Sequence, residues 1–256
     1  MGETQKKITI CTSLNEKMLN DYGYKTLTSF KKNIPLDIDI DLYFENSIPN
    51  KFDSRFNIKE LFKLNLKAKE FVLKHKANPR VSSFNVKAFK KNYIKFCYKV
   101  FTICTAARNT SSEFLIWLDL DIFIKKKIDQ SIINYLCDED YFIAYLNREL
   151  TLYKDDPFYR DYSETGIITF NLKNTIADQF FLMFENVYLM EVLFLNEAWD
   201  DACVFDNVRT YFENKMNVRN KRMSDGITRY PINDHELLDK YFIHPLGAKK
   251  NRLYDF

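Results

Sequence analysis

The 256-residue sequence has few of the residues that punctuate a chain: five glycines and six prolines. No Pro/Gly linker, low-complexity tract or internal repeat divides it, so one domain spanning residues 1–256 is expected. The five cysteines, Cys11, Cys97, Cys104, Cys137 and Cys203, form no CxxC pair and no zinc spacing. That excludes a cysteine zinc site and favours buried free thiols in a reducing compartment. The N-terminal MGETQKKITICTS lacks the apolar stretch of a secretory signal. No run of about 18 uninterrupted apolar residues exists. The best candidate, Phe180 to Leu195, is broken by Glu185 and Glu191. A chain without a membrane span is expected, in the cytoplasm (the host cell's, if the source is viral).

What is present is enough for a large core, since 46% of residues are hydrophobic and 16% aromatic. The net charge is only +3, but it is uneven. Lys59 to Lys99 holds twelve Lys/Arg against two Glu, which leaves a net of −7 for the rest. Such a basic stretch can attract the phosphates of DNA or of a small donor, although a solvated helix face is the plainer account.

Ile8–Ser13 reads as a short β-branched strand. Glu16–Lys32 is helix-like. Leu36–Phe44 alternates apolar and acidic residues, which predicts a half-buried strand with Asp37, Asp39 and Asp41 on its solvent face. Asn57 and Glu60 have the spacing of a capping box for a following helix. A longer helical stripe starts at Asn85 and runs to Ala107. Phe114–Ile124 is a buried strand that acquires two acids, and Tyr141–Leu146 and Gly166–Leu172 are further strands. Helices are expected over Ile176–Met190 and Ala198–Lys215, and a loop from Tyr241 onward. His75 and His235 read as surface residues. Strands alternate with helices through the first half, so the class is α/β with a mainly parallel sheet.

The chemistry centres on Trp117-Leu118-Asp119-Leu120-Asp121. A carboxylate is costly to bury unless paired or metal-bound. Two of them at the end of an apolar strand offer hard oxygen ligands where open α/β sheets bind ligands, which suits Mn²⁺ or Mg²⁺. The second piece is His244-Pro-Leu-Gly247-Ala-Lys-Lys250. Its histidine can donate a neutral nitrogen to the same metal. Gly247 lets a backbone N–H approach a phosphate, and Lys250 adds positive charge.

Asp119/Asp121 with His244/Gly247/Lys250 resembles the paired metal and diphosphate motifs of GT-A glycosyltransferases, in particular the glycogenin and galactosyltransferase-like (family 8-like) group. Glu164-Thr-Gly-Ile-Ile-Thr-Phe-Asn-Leu172 resembles that group's strand at the sugar pocket. Ala198-Trp-Asp-Asp-Ala-Cys-Val204 stands in the place of its D-Q-D helix start. The resemblance implies a GT-A, Rossmann-like fold with a mainly parallel sheet flanked by helices, and a C-terminal metal and diphosphate tail at about residues 241–256. It implies a retaining hexosyltransferase with Asp119, Asp121 and His244 holding Mn²⁺ or Mg²⁺. A nucleotide sugar, UDP-linked in that group, would be bound through Thr12, Lys95, Lys99, Asp119, Gly247 and Lys250. Asp201, Asp200 and Glu164 would serve the donor sugar, with Asp201 nearest the anomeric carbon. Three features depart from the group's pattern: Asn251-Arg252 replaces its Pro-Trp, its Tyr-rich base-side motif is not recognisable, so that UDP is an expectation from the group alone, and the D-Q-D glutamine is missing, which leaves the sugar contact open between Asp200 and Asp201.

KFCYKVF (95–101), YLNR (145–148), YSETGIITFNL (162–172) and AWDDACVFD (198–206) are also similar to phage-type glycosyltransferases, some of which decorate hydroxymethylated pyrimidines in DNA. The acceptor is therefore open between such a pyrimidine, reached through residues 59–99, and a glycan, a protein or a lipid-linked sugar. Two rival readings compete. A nucleotidyltransferase expects a Gly-rich basic N-terminal loop, and Thr12-Ser13-Leu14-Asn15 has neither Gly nor Arg. A nucleic-acid-binding module on the basic stretch would show steep salt dependence and no turnover.

Overall fold

Seven strands form one sheet in the order β3-β2-β1-β4-β7-β6-β8. They are β1 Ile8–Leu14, β2 Asp39–Phe44, β3 Asn57–Glu60, β4 Phe114–Leu118, β6 Ile143–Asn147, β7 Ser163–Asn171 and β8 Lys221–Arg222. The computed structural model describes residues 6–46, 48–49, 51–80, 88–148, 162–196, 198–226, 228 and 230–245. Strands β3, β2, β1 and β4 pair in parallel, as do β6 and β8, while β7 is antiparallel to both β4 and β6. The sheet is mixed but mainly parallel, as the alternation of elements predicts.

Helices cover both faces. Cys11, Tyr43, Trp117 and Phe170 face one core, shared with α4 Leu66–Ala77, α5 Tyr93–Asn109, α7 Ala177–Leu189 and α8 Asp201–Met216. Ile10, Leu42, Ile116 and Ile167 face the other, with α2 Tyr24–Asn33 and α6 Gln130–Leu136. Among the described residues no helix is long and apolar enough to cross a membrane. The helix expected from Glu16 is a composite of α1 Glu16–Met18, a π-helical turn Leu19–Gly23, and α2. Gly23 fits closely there: a Cβ would lie 3.1 Å from Met18 O and 3.2 Å from Leu120 Cδ2.

Several local expectations give way to tertiary structure. Asn57 and Glu60 form no capping box; both lie in β3, Glu60 precedes the four-residue α3, Leu61–Leu64, without a side-chain capping bond, and Asn57 Nδ2 donates to Asp41 Oδ1 at 3.1 Å. After α3, the real cap is Asn65, whose side chain accepts from Ala68 N at 2.9 Å. Asp41 leaves the expected solvent face because it shares with Cys11 and Tyr43 the face of the sheet that α4 and α5 cover; it is buried and pairs with Lys59 at 2.7 Å. The stripe expected from Asn85 begins as a helix at Tyr93, capped by the Asn92 side chain on Lys95 N at 3.2 Å; residues 81–87 lie outside the described residues. His75 is no surface residue: it is buried against Phe71, with ring centroids 4.3 Å apart. His235 is half-buried and bonded to Tyr135 Oη at 2.8 Å.

The segment after Tyr241 is not all loop. β9 Phe242–Ile243 pairs antiparallel with β5 Phe123–Ile124. That two-residue ladder carries His244 back to the end of β4.

Candidate metal site

Strand β4 ends at Leu118, and Asp119–Ile122 forms a turn closed by Ile122 N on Asp119 O at 2.9 Å. Asp119 N donates to Gly166 O at 2.9 Å, so the acidic turn is pinned to the start of β7. The β5/β9 ladder delivers His244 to the same place, and Asn233 fixes its backbone through two bonds of 2.9 Å. One donor atom each from Asp119, Asp121 and His244 lies within 4.8 Å of the others. His244 Nε2 is 3.4 Å from Asp121 Oδ1, and its Nδ1 is 3.7 Å from Glu164 Oε1.

This donor set fits a divalent cation. Ligands at about 2.1 Å in octahedral geometry lie about 3 Å apart when adjacent and about 4.2 Å when opposite, so only a small contraction is needed. Asp119 Oδ1 is already engaged by Trp117 Nε1 at 2.7 Å and Lys99 Nζ at 2.8 Å, which leaves its second oxygen for an ion. Two oxygens and one imidazole nitrogen suit Mn²⁺ or Mg²⁺ better than a thiophilic metal.

Lys99 is the hub of the wall beside this centre. Its ammonium touches Asp119, Asp201 Oδ2 at 2.7 Å, and both the carbonyl and hydroxyl of Thr165 at 3.1 Å. Thr165 Oγ1 donates to Asp201 Oδ2 at 2.6 Å. Burial alone would lower the Lys99 pKa, but the two carboxylates hold it above the ordinary lysine range. Burial would raise Asp201, yet Lys99 and Thr165 keep it below the usual carboxylate range. Asp119 goes the other way: burial, with Asp121 and Asp201 nearby, outweighs the pull of Lys99 and raises it. Of the two acids that share Lys99, Asp201 is the one held firmly ionised.

Glu164 forms the opposite wall. It is buried, and Arg148 clamps it, with Nε 2.6 Å from Oε2. Burial would raise its pKa, but Arg148 and then His244 bring it below the ordinary value. Gly166 packs tightly behind it. A Cβ there would lie 3.1 Å from Glu164 Oε1, 3.1 Å from Ile122 Cδ1 and 3.3 Å from His244 Cε1. Asp200 is the N-cap of α8, where Oδ1 accepts from Cys203 N at 2.8 Å. Its other oxygen is buried without a hydrogen-bond partner among the described residues. Burial, then the charge of Asp201, pushes Asp200 up to about 7.

The expected residues thus divide into groups. Asp119, Asp121, His244, Glu164, Asp201 and Lys99 meet at one edge of the sheet. Asp200 lies behind Asp201 as a helix cap. Thr12 is buried within β1, and its hydroxyl finds no hydrogen-bond partner among the described residues. Lys95, one turn before Lys99, is exposed, with Nζ 5.7 Å from the Phe96 ring centroid. Gly247 and Lys250 lie outside the described residues. Trp117 reads as plain core in the sequence, yet it also orients Asp119. Arg148 and Thr165 have no local signal; they become visible only through the β6/β7 register, which sets Leu146 opposite Glu164 and Asn147 opposite Ser163.

No family model and no curated protein matches the sequence. Solved structures do match. The glycosyltransferase GlyE of Streptococcus pneumoniae TIGR4 superposes with a TM-score of 0.52 at 11% identity, covering 98% of this chain and 57% of that one. A glycosyltransferase involved in glycosylation of the major capsid of PBCV-1 gives 0.47 at 15% identity, covering 96% and 99%. Mouse xyloside xylosyltransferase 1 gives 0.48 at 11% identity, covering 84% of each chain. The fold is the GT-A, Rossmann-like α/β architecture.

Proposed function

We propose that this chain is a metal-dependent glycosyltransferase that moves a hexose from a nucleotide sugar, UDP-linked, to a hydroxyl acceptor. The observation that carries the reading is the convergence of Asp119, Asp121 and His244 at the carboxyl end of β4, within 4.8 Å of one another. On one side of them lies the Lys99–Asp201 pair, on the other Glu164. In an α/β sheet this edge is where ligands bind.

In the transfer, the bond from the anomeric carbon to the diphosphate oxygen breaks and the diphosphate leaves with the electron pair. The acceptor oxygen bonds to the anomeric carbon and passes its proton to the departing diphosphate. Asp119, Asp121 and His244 would hold a divalent cation, and the chemistry it would supply is Lewis acidity toward the leaving diphosphate. Lys99 balances part of the negative charge of Asp119 and Asp201 beside the centre, an electrostatic arrangement that needs no reorganisation during reaction. Asp201, kept ionised by Lys99 and Thr165, faces the developing positive charge of the sugar. Glu164, held still by Arg148, positions sugar hydroxyls.

The test is release of free nucleoside diphosphate from a panel of nucleotide sugars, with and without Mn²⁺. Mn²⁺-dependent release is expected, strongest with a UDP-sugar, and lost in Asp121→Ala while the melting temperature without metal stays within a few degrees. Full release by Asp121→Ala, or none from any donor, would sink the reading.

A further inference from the structure

α4 carries a surface that the transfer chemistry does not use. Leu66 and Leu73 are 63% and 57% exposed. At about 100° per residue, Leu66, Glu70, Leu73 and Ala77 fall within an arc of about 60°, opposite the buried Ala68, Phe71, Val72 and His75. Lys67 and Lys74 border this arc on one side, and Lys69 and Lys76 on the other. The stripe is therefore apolar along its middle, apart from Glu70, and cationic along both margins.

The end of α7 extends the surface. Lys74 and Arg80 both pair with Glu191, and the Arg80 guanidinium lies 4.8 Å from the Phe194 ring centroid. Met190 and Leu195, on either side of that junction, are 70% and 80% exposed, and Val192 is exposed as well. Large aliphatic side chains thus stand in water next to a row of lysines.

A nucleic acid rewards the lysines of such a face but gives its aliphatic side chains nothing, because the contacts are to phosphate. An anionic lipid surface rewards both. Leucine and methionine reach the headgroup–acyl boundary, while flanking lysines bury their stems and keep their ammonium groups among the phosphates. We propose that the outer face of α4 and the 190–195 segment docks the protein on an anionic membrane surface. This inference does not depend on the transfer reaction.

Co-sedimentation of the full chain with vesicles tests it. Vesicles of phosphatidylcholine with about 30 mol% phosphatidylglycerol should bind at least about tenfold more tightly than phosphatidylcholine alone, with the advantage falling as salt rises. The double variants Leu66→Ser/Leu73→Ser and Lys67→Gln/Lys69→Gln should each weaken binding by roughly tenfold, with melting temperatures unchanged within a few degrees. Equal binding to both vesicle types, or binding that the leucine pair does not affect, overturns the proposal. Binding to duplex DNA but not to vesicles would assign the lysines to nucleic acid and overturn it too. A concentration-dependent dimer dispersed by the leucine variant, without vesicle binding, would assign the face to a second copy and do the same.

Discussion

Replacing Lys99 with Met keeps much of the side-chain volume and removes the one charge that Asp119 and Asp201 share. In the native protein the ammonium lies 2.8 Å from one carboxylate and 2.7 Å from the other, and its side chain is only 14% exposed. Removing one partner from a buried ion pair costs about 3–5 kcal/mol, because the remaining charge is left uncompensated. At about 2–4 °C per kcal/mol for a chain of this size, the melting temperature near pH 8 should fall by roughly 6–20 °C. The loss should depend on pH. Without Lys99 both carboxyls are raised above their unfolded values near 3.9. A group raised in the folded state contributes stability in full below its unfolded pKa and loses it as pH rises through the folded pKa. The deficit of Lys99→Met is therefore smallest near pH 4 and grows toward neutrality. Thermal melts of both proteins across pH 4–8 measure it. A deficit under about 1 kcal/mol that is flat with pH would mean that Lys99 is a solvated lysine and no hub.

Two further outcomes follow from the same geometry. Gly166→Ala pushes a methyl against Glu164, Ile122 and His244, so it should cost about 1–3 kcal/mol and weaken the Mn²⁺-induced rise in melting temperature; a variant with native melting with and without Mn²⁺ would show the cradle to be loose. Asp200, with a pKa near 7 in the folded chain against about 3.9 unfolded, contributes stability that is full at low pH and is lost as pH rises through 7. Asp200→Asn should therefore gain on the native protein between pH 5 and pH 8 in urea titrations, and a constant difference across that range would contradict the assignment.

The fold was legible where a segment's own pattern decides its structure. β1, β4, β7, α7 and the body of α5 follow from β-branched runs and helical spacing, and the α/β class follows from their alternation. The misses are places where a distant partner outweighs a local preference. Asn57 has the spacing of a helix cap, but β2 offers it Asp41 across a strand pair. Asp41 alternates as though it faced water, but its face of the sheet is the one the helices cover, and β3 supplies Lys59. The short β9 has only two residues of pattern, too few to distinguish from loop, and it exists because β5 is there to pair with it.

The site divides in the same way, and the division has a physical reason. Asp119 and Asp121 stand out because two acids ending an apolar strand contradict the burial around them, and such a conflict is readable in one segment. His244 stands out because histidine is scarce and this one sits beside a glycine and lysines. What cannot be read locally is how those charges are tolerated. A buried carboxylate needs a donor or a cation within about 3 Å, and that partner can come from any element that passes the site. Here the partners come from the middle of α5 for Asp201, from the end of β6 for Glu164, and from within β4 for Asp119, as Lys99, Arg148 and the Trp117 indole. Each acid is visible in its own segment. The charge that lets it remain ionised is set by which strands and helices the sheet brings together.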